Sequence, residues 1–393
     1  ATLFWNPAGM TRIQGNQAAG AFFWILPSGK YFDKDGSVHA LGTPLSGGEG
    51  RDGGVDAYVP VSYLVYSIDE RWKAGIGINV PLGLATEFPS DWMGRYNAIK
   101  SSIKTINVQP SVAYKVDDHW SVGVGVDYQY VDVELTSAVD YGTIAVSRLG
   151  PAPAAALGLV PQQSDGRAII TGNDRSWGWN AGVLYEMDEH TRFGLHFRSK
   201  INHQLKGGAN FTAPPEAAPL LATGAFANTD VTARVTLPET VNLSAYHDLD
   251  AKGAVMGDVQ WTRWSQLTDI TISYENPAQP QSSEQLNWKD TFKIALGASH
   301  KLDDTWTLRF GTAFDQDPTR NSTRTPRLPT DKRFWGTFGV TYKVNDHMSL
   351  DAGYAHIWVK NGEIDIESAF GSRLHGKFQN SVDIFTVGGT LDF

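Results

Sequence analysis

Lys115-Val-Asp-Asp-His-Trp-Ser-Val-Gly123 is one copy of a short turn that recurs along this chain and decides its fold. Related stretches, each with Asp or Asn near the centre and apolar residues alternating on both sides, lie at 67–75, 186–194, 247–253, 301–311 and 343–353. Asp and Asn tolerate the left-handed backbone of a tight turn and bond to it locally. Alternating apolar residues beside such a turn are the signature of a β-hairpin. The six turns therefore predict six hairpins.

Between the hairpins the chain runs through longer connections. They are predicted at 32–54, 87–103, 138–175, 207–230, 276–287, 317–331 and 361–380. Seven long loops and six short turns make thirteen connections, and hence fourteen strands. Short turns at one end and long loops at the other are typical of an antiparallel transmembrane β-barrel of the bacterial outer membrane. We therefore predict an all-β, 14-stranded barrel with periplasmic turns and with short helices in the extracellular loops.

Apolar and polar residues alternate within the predicted strands. In 120–130 the Trp, Val and Tyr residues share one face, and Ser, Gly, Asp and Gln share the other. The same period of two recurs in 192–200, 306–314 and 334–342, which places the two sets on opposite sides of a sheet. A soluble β-sandwich has the same period. Aromatic residues close to the turns, and a last strand that ends at Phe393, favour the membrane barrel.

Composition and motifs exclude several classes of protein. The 393 residues include no stretch of 18 apolar residues, so no single helix is expected to span a bilayer. The sequence has no Cys, which excludes disulfides, thiolate metal sites and cysteine nucleophiles. A formal net charge of -9 argues against a nucleic-acid partner. Hydrolase, zinc-protease and phosphate-loop motifs are absent from the sequence, so we expect no enzyme, no metal and no cofactor.

Seven short motifs, in order along nearly the whole chain, resemble the outer-membrane long-chain fatty-acid transporter family (FadL/TodX type). They are Asn6-Pro7-Ala8, Gly83-Leu-Ala-Thr-Glu-Phe88, Trp177-Gly-Trp-Asn-Ala-Gly-Val-Leu-Tyr-Glu186 with Arg198-Ser199, Leu237-Pro-Glu239, Trp264-Ser-Gln266, Ile294-Ala-Leu-Gly297 and Arg333-Phe-Trp335. The resemblance implies a 14-stranded barrel, the number counted above. It also implies an N-terminal hatch that plugs the lumen.

The resemblance further implies passive uptake of hydrophobic small molecules. In the family a ligand leaves through a lateral opening beside a kink in the third strand, after the hatch has moved. Few residues precede Asn6, so we expect 1–16 to be a remnant of the hatch and 17–393 to be the barrel. The hatch motif would be Asn6, Pro7 and Ala8.

The ligand stays open between long-chain fatty acids and hydrocarbons. By resemblance, the family's fatty-acid transporter places basic residues near the ligand carboxylate. Ser137 and, approximately, Glu284 stand at those positions here, so the basic residues do not carry over. Some relatives in the family take up aromatic hydrocarbons, which need no such partner.

The third strand contains an interruption that suggests a gate. Pro81 cannot donate to a sheet ladder and Gly83 bends easily, so both residues belong at edges or bulges. Irregular backbone at membrane depth must face protein or a cavity, because lipid offers no hydrogen-bond partners. We predict a lateral gate at Pro81, Leu82, Gly83, Leu84 and Ala85.

Two apolar loop stretches, 151–160 and 217–226, suggest a surface on which ligand is captured. An exposed apolar patch on a loop usually marks a binding site. We predict a capture groove formed by Leu157, Leu159, Val160, Leu220, Leu221 and Phe226. The alternative is that the two stretches pack on each other and cap the barrel.

The partners follow from the membrane setting. We expect a monomer surrounded by outer-membrane lipid and lipopolysaccharide, whose phosphates arginines bind bidentately. A basic cluster in one outer loop is the candidate contact, and its alternative is a solvated loop: Arg320, Arg324, Arg327, Lys332 and Arg333. The alternative function is an open porin for polar solutes, which needs a charged constriction, whereas a transporter needs an apolar pocket and a plug.

Overall fold

The computed structural model of the protein describes residues 2–393. Within them, fourteen antiparallel strands form one closed sheet. The uninterrupted strands are β1 (Gln17–Asp33), β2 (Ala57–Ser67), β4 (Lys100–Lys115), β5 (Trp120–Asp140), β6 (Asp165–Glu186), β11 (Trp306–Asp315), β12 (Arg333–Lys343), β13 (Met348–Glu367) and β14 (Arg373–Asp392). The interrupted strands are β3 (Trp72–Asn79 and Gly83–Glu87), β7 (Thr191–Arg198 and Ile201–Thr212), β8 (Thr229–Leu237 and Thr240–Asp248), β9 (Gly253–Thr262 and Asp269–Tyr274) and β10 (Ser282–Gln285 and Thr291–Lys301). The predicted fourteen-stranded barrel is confirmed.

The sheet closes because β1 pairs with strands on both sides. All 17 residues of β1 pair with β14, from Gln17 opposite Asp392 to Asp33 opposite Gly376. On its other edge β1 pairs with β2. Closure leaves no sheet edge along this seam, as a barrel in lipid requires.

Short helices occur near the N terminus and in the loops. The α-helices are Thr2–Trp5, Tyr141–Leu149, Pro151–Ala156 and Ala218–Leu221, and the 3-10 helices are Pro7–Arg12, Pro215–Ala217 and Trp264–Gln266. No helix among residues 2–393 is long and apolar enough to cross a membrane. The helices of the extracellular loops were predicted and are confirmed.

Several strands are longer than predicted. β5 and β6 pair as far as Asp140 and Asp165, so the loop predicted at 138–175 is shorter. β13 and β14 pair as far as Glu367 and Arg373, inside the predicted loop 361–380. Charged residues in these stretches end the alternation of apolar residues. The backbone hydrogen bonds between the paired strands nevertheless continue beyond that point. The polarity of a stretch marks where the apolar surface ends, and the hydrogen bonds mark where the strand ends.

The two faces of the sheet have inverted polarity. Val124 on β5 points outward and is 54% exposed, whereas Asp127 on the opposite face is 0% exposed. Large apolar side chains cover the outside throughout, including Leu296, Phe338 and Val387. An exposed apolar band around a buried polar interior is the expected surface of a barrel in lipid.

The six short turns share one construction of four residues. In the turn after β4, the Asp117 carboxylate accepts the backbone N–H groups of His119 and Trp120 at 2.8 and 2.7 Å. Asp69, Asp188, Asp250 and Asp303 accept the equivalent pair of bonds, and Asn345 accepts the first of the two. The predicted local bonding by Asp and Asn is therefore present in every turn.

Aromatic pairs lie directly beside these turns. Trp72 packs against Tyr114 with ring centroids 4.6 Å apart, and Trp306 packs against Tyr342 at 4.7 Å. Both pairs bridge neighbouring strands on the outward face. They form part of the aromatic girdle that the sequence predicts at the periplasmic interface.

The turns should make folding sensitive to acid. Backbone N–H donors hold the pKa of Asp69 and of Asp188 below the usual aspartate value. Their stabilisation is therefore complete above the unfolded pKa and is lost as pH falls through the lowered folded pKa. Asp69→Asn with Asp188→Asn keeps an acceptor oxygen that does not titrate. We expect this double variant to stay folded to lower pH than the parent, measured by heat-modifiable electrophoretic mobility.

The neighbouring carboxylates provide the control. Glu70→Gln with Glu189→Gln removes the same charge from the same turns but leaves the turn bonds of Asp69 and Asp188 in place. This control should follow the parent's acid profile. Identical profiles for both double variants would show that the turn carboxylates do not cause the acid sensitivity.

Candidate functional site

Residues 2–12, the N-terminal segment, lie inside the barrel. Leu3 and Met10 are buried in one apolar cluster with Val65 of β2 and Ala113 of β4. Thr11 donates its hydroxyl to Ser121 on β5 at 2.8 Å. The segment thus occupies the lumen near the periplasmic turns. Its role as a hatch, and the division of the chain at residue 16, stay predictions.

Asn6 attaches the N-terminal segment to the barrel wall. Its Nδ2 donates to the main-chain oxygens of Val183 at 3.0 Å and Leu195 at 3.4 Å, on β6 and β7. Its Oδ1 accepts the N–H of Ala8 at 3.0 Å and caps the 3-10 helix. Pro7 starts that helix, where a missing N–H costs little. The three residues of the predicted motif therefore form one structural unit.

Glycines of the wall make room for this unit. A Cβ at Gly123 would overlap the backbone of Pro7 and Ala8, and a Cβ at Gly182 would overlap the side chain of Asn6. These glycines are needed for close approach of the segment.

A buried polar network lies next to the N-terminal segment. The carboxylate of Asp127 forms an ion pair with Arg198, and accepts Asn107 Nδ2 at 2.7 Å and Asn180 Nδ2 at 2.8 Å. Arg198 also donates to the main-chain oxygen of Phe4 at 2.8 Å. Removing one partner of such a buried pair typically costs about 3–5 kcal/mol, because the other charge is left unpaired. The network fastens the segment to β7 through the bond from Arg198 to Phe4.

The third strand breaks at residues 80–82. Its first segment pairs with β2 only as far as Ile78, opposite Ser62. Its second segment, Gly83–Glu87, pairs with β4. Among the described residues, the β2 stretch Ala57–Val61 has no partner on β3. Pairing is thus lost between β2 and β3, and we name this gap the β2–β3 opening.

The opening is bounded on its extracellular side. The N–H of Glu87 donates to the oxygen of Gly53 at 2.9 Å, and Gly54 forms an isolated bridge with Thr86. Pro60, which has no N–H, lies in the unpaired stretch of β2 and leaves one fewer donor there. The gap is therefore a window in the wall and not a complete split.

Thr105 of β4 holds the broken stretch. Its hydroxyl donates to the oxygen of Leu82 at 2.6 Å and lies 3.0 Å from the nitrogen of Leu82, which donates to it. This buried side chain adds to the one backbone bond between the two residues, from the N–H of Thr105 to the oxygen of Leu82 at 3.2 Å. The predicted gate residues Pro81 and Leu82 lie in the break, whereas Leu84 and Ala85 belong to the strand after it.

The sequence predicts that the bend in the third strand uses the flexibility of Gly83, and the structure differs on this point. A Cβ there would meet nothing within 4 Å, and the residue is not among the glycines with a positive φ. The bend therefore does not require glycine at this position. Pro81 and the side chain of Thr105 account for the break. The use of these residues as a gate for ligand stays a prediction.

The two apolar loop stretches meet. Leu159, Leu220 and Phe226 are buried in one cluster with Tyr141 and Ile144. Leu157 and Leu221 border this cluster, and Val160 is exposed. Five of the six side chains thus pack on each other in this structure, as the alternative interpretation has it, and Val160 does not. Ligand capture on this surface stays a prediction.

The basic loop cluster is largely turned inward. Arg324 is buried and pairs with Asp317 at 3.0 Å and Asp331 at 3.2 Å. Arg327 donates to Ser101 of β4 at 3.0 Å. These two guanidinium groups bind the protein itself, whereas Arg320 and Lys332 are exposed. Contact of the cluster with lipopolysaccharide stays a prediction.

Sequence reasoning missed Thr105 and the inward polar residues beside it. The signal was available, because Ser101, Thr105, Asn107 and Gln109 recur with period two in 100–115 and so share one face. Polar residues on a face of a membrane strand point to the lumen. Which of them bond to each other depends on register across strands, and a single strand's sequence does not contain that information.

Comparison with known families and proteins covers the whole chain. The family model described as outer membrane protein transport protein (OMPP1/FadL/TodX) matches residues 1–393. A putative outer membrane protein of Neisseria meningitidis serogroup B is 29% identical over 100% of this chain and 89% of that protein. The long-chain fatty acid transport protein of Escherichia coli K12 is 30% identical over 83% of this chain and 76% of that protein.

Solved structures agree in fold. A FadL homologue of Pseudomonas aeruginosa superimposes with a TM-score of 0.91 at 25% identity, covering 100% of this chain and 94% of that one. The toluene transporter TodX of Pseudomonas putida has a TM-score of 0.72 at 17% identity, covering 100% and 94%, which shows likeness in fold alone. The protein is a multi-pass outer-membrane barrel. The match over its full length establishes that this chain belongs to the FadL/TodX family of outer-membrane transport proteins.

Proposed function

We propose that this protein takes up hydrophobic small molecules, either long-chain fatty acids or hydrocarbons, by hatch-gated lateral diffusion through the β2–β3 opening. The family and its relatives support transport of hydrophobic compounds or fatty acids across the outer membrane. The single observation that carries the lateral route is a lumen that holds the N-terminal segment beside a wall in which β2 and β3 lose their pairing. Asp127 and Asn180, on the neighbouring strands β5 and β6, are buried beside the segment, while Ala57–Val61 has no β3 partner in the described chain.

The polarity of the interior favours this route over an open porin. An inner apolar cluster includes Leu135, Ile170, Val231 and Ile272 on β5, β6, β8 and β9. An apolar ligand gains by leaving water for such a lining and loses that gain in an aqueous channel. A window in the wall lets it pass to hydrocarbon without crossing the polar network. In this proposal the N-terminal segment acts as the hatch.

The surroundings follow from the outer surface. Phe338, Trp358 and Val387 are exposed and apolar, as a monomer surrounded by lipid requires. The proposal includes contact with outer-membrane lipid and lipopolysaccharide. Within the basic loop cluster only the exposed Arg320 and Lys332 are available for that contact, because Arg324 and Arg327 bind within the protein.

Binding of oleate and toluene to the purified protein tests the function. We expect saturable binding of at least one of them, because the inner apolar cluster provides burial for an apolar ligand. Radiolabelled ligand is measured in detergent, and the detergent alone is subtracted. Binding of neither ligand, together with steady ion conductance in planar bilayers, would establish the porin alternative.

Thr105→Val should close the β2–β3 opening. The variant keeps the shape of the side chain but leaves the N–H of Leu82 without a partner, at about 1–3 kcal/mol. The C=O of Leu82 then keeps only the backbone N–H of Thr105, at 3.2 Å. The β2 stretch Ala57–Val61 has no β3 partner and offers backbone groups for new pairing. Pairing with them would reduce the open arrangement by roughly 5–150-fold. We expect uptake of the transported ligand into cells to fall correspondingly, with unchanged amounts of folded barrel.

Two conservative variants control this experiment. Thr105→Ser keeps the hydroxyl, and Gly83→Ala adds a methyl group where nothing lies within 4 Å. Both should transport as the parent does. Parental uptake by Thr105→Val would contradict exit through this window.

The hatch can be tested with a single thiol, because the chain has no Cys. Met10→Cys places it in the buried cluster with Leu3. We expect slow labelling by a polar maleimide, and fast labelling after Gly123→Ala, whose methyl overlaps the backbone of Pro7 and Ala8. Bound ligand should also speed labelling of Met10→Cys alone.

Gly20→Ala is the matched control for the hatch test. Its added Cβ would lie 3.6 Å from the oxygen of Val61, an ordinary contact. Labelling should therefore remain slow in that background. A labelling rate that responds to neither Gly123→Ala nor ligand would remove the hatch from the mechanism.

A further inference from the structure

A row of inward polar residues ends at the β2–β3 opening. Asn79 on β3 lies opposite Asn107 on β4, which lies opposite Gln129 on β5. Gln129 bonds to His203 of β7 at 3.0 Å, and His203 bonds to Asp174 of β6 at 2.9 Å. The row therefore runs from the break in β3 across the inner wall.

The row divides the inside of the barrel. On the same face of β5, Asp127 and Gln129 are followed by Val131, Val133 and Leu135. Leu135 belongs to the inner apolar cluster on the extracellular side. A molecule that lies along this wall meets an apolar surface first and a polar row next. That order suits a ligand with an apolar tail and a polar head.

Asn79 is the member of the row without a partner. Its side chain is 3% exposed, and neither its Oδ1 nor its Nδ2 has a hydrogen-bond partner within residues 2–393. The Oδ1 of Asn107, which is 0% exposed, has none there either. A buried amide left unpaired is costly, and each such group in a native structure calls for an explanation. Asn79 lies directly before the broken residues 80–82.

We propose that Asn79 and Asn107 form a head-group site at the inner mouth of the β2–β3 opening, for an uncharged group that both donates and accepts hydrogen bonds. An undissociated carboxylic acid or an alcohol has this chemistry. The C=O of an acid would accept from Asn79 Nδ2, and its O–H would donate to Asn79 Oδ1. The Oδ1 of Asn107 offers a second acceptor for a hydroxyl. No covalent step is involved.

The charged neighbours favour a neutral head. The negative charge of Asp127 is already paired with Arg198, and Arg198 is also bound to Phe4. The free atom of Asn107 is an oxygen, which repels a carboxylate and accepts from a hydroxyl. The inference rests on the proposed function and makes it more specific: the substrates are amphiphiles with a neutral head, and pure hydrocarbons bind less well.

A series of four C18 compounds tests the site. Oleic acid and oleyl alcohol donate and accept, methyl oleate only accepts, and 1-octadecene does neither. We expect the full-length chain in detergent to bind the first two more tightly than 1-octadecene by about tenfold, which corresponds to one or two net hydrogen bonds. Asn79→Leu should abolish this preference and leave binding of 1-octadecene unchanged.

Thermal unfolding separates recognition from structure. Asn79→Leu removes an unpaired buried amide, so we expect a melting temperature equal to or above that of the parent. Ile78→Val, on the outward face of the same strand, should alter neither binding preference nor melting. A marked loss of stability in Asn79→Leu would assign Asn79 a structural role and overturn the proposal.

The outcomes also separate this inference from the proposed function. Equal binding of all four compounds by the parent and by Asn79→Leu would overturn the head-group site while leaving hydrophobic uptake intact. Binding of none of them by the parent would refute the proposed function itself. Asn79→Ser, which keeps a smaller donor and acceptor, should retain part of the preference for oleyl alcohol.

Discussion

Backbone hydrogen bonding in a medium without water is the constraint on which this structure depends. Hydrocarbon offers no partner to an N–H or C=O, so the sheet must pair every strand and close on itself. The seam between β1 and β14 meets that demand with pairing along the entire length of β1. The apolar outer face and the polar lumen follow from the same setting. Irregular backbone is then informative, because each exception needs a local substitute for the lost bonds.

The break in β3 is such an exception, and its substitute is a side chain. Thr105 supplies Leu82 with both a donor and an acceptor, so the strand can leave β2 without leaving those groups bare. The N-terminal segment uses similar means, because Asn6 bonds to main-chain oxygens of the wall. Both features lie on the β2–β7 side of the barrel. The segment and the network are in direct contact through the bond from Arg198 to Phe4, and Asn107 of the network is the cross-strand neighbour of Asn79 beside the opening.

Short-range patterns in the sequence predicted the local structure well. The Asp and Asn residues of the turns and the alternation in 120–130 specify hairpins and faces, because both depend on neighbours in the chain. Strand ends were less accessible, since β5 and β6 continue to Asp140 and Asp165 beyond the apolar alternation. The site was only partly predictable. Pro81 indicated a break, but the partner of Leu82 lies on another strand, and the burial of Leu220 depends on a second loop.

The contact between Gly123 and the Pro7–Ala8 backbone limits how these two regions can change during evolution. A larger residue at position 123 would displace the segment, because its side chain would meet the backbone of Pro7 and Ala8 and not a flexible side chain that could move aside. Among homologous genes, substitutions at position 123 should therefore be accompanied by changes in the first dozen residues. The two regions would drift as a linked pair although more than a hundred positions separate them, and chimeras that exchange only one of them would inherit a mismatched fit.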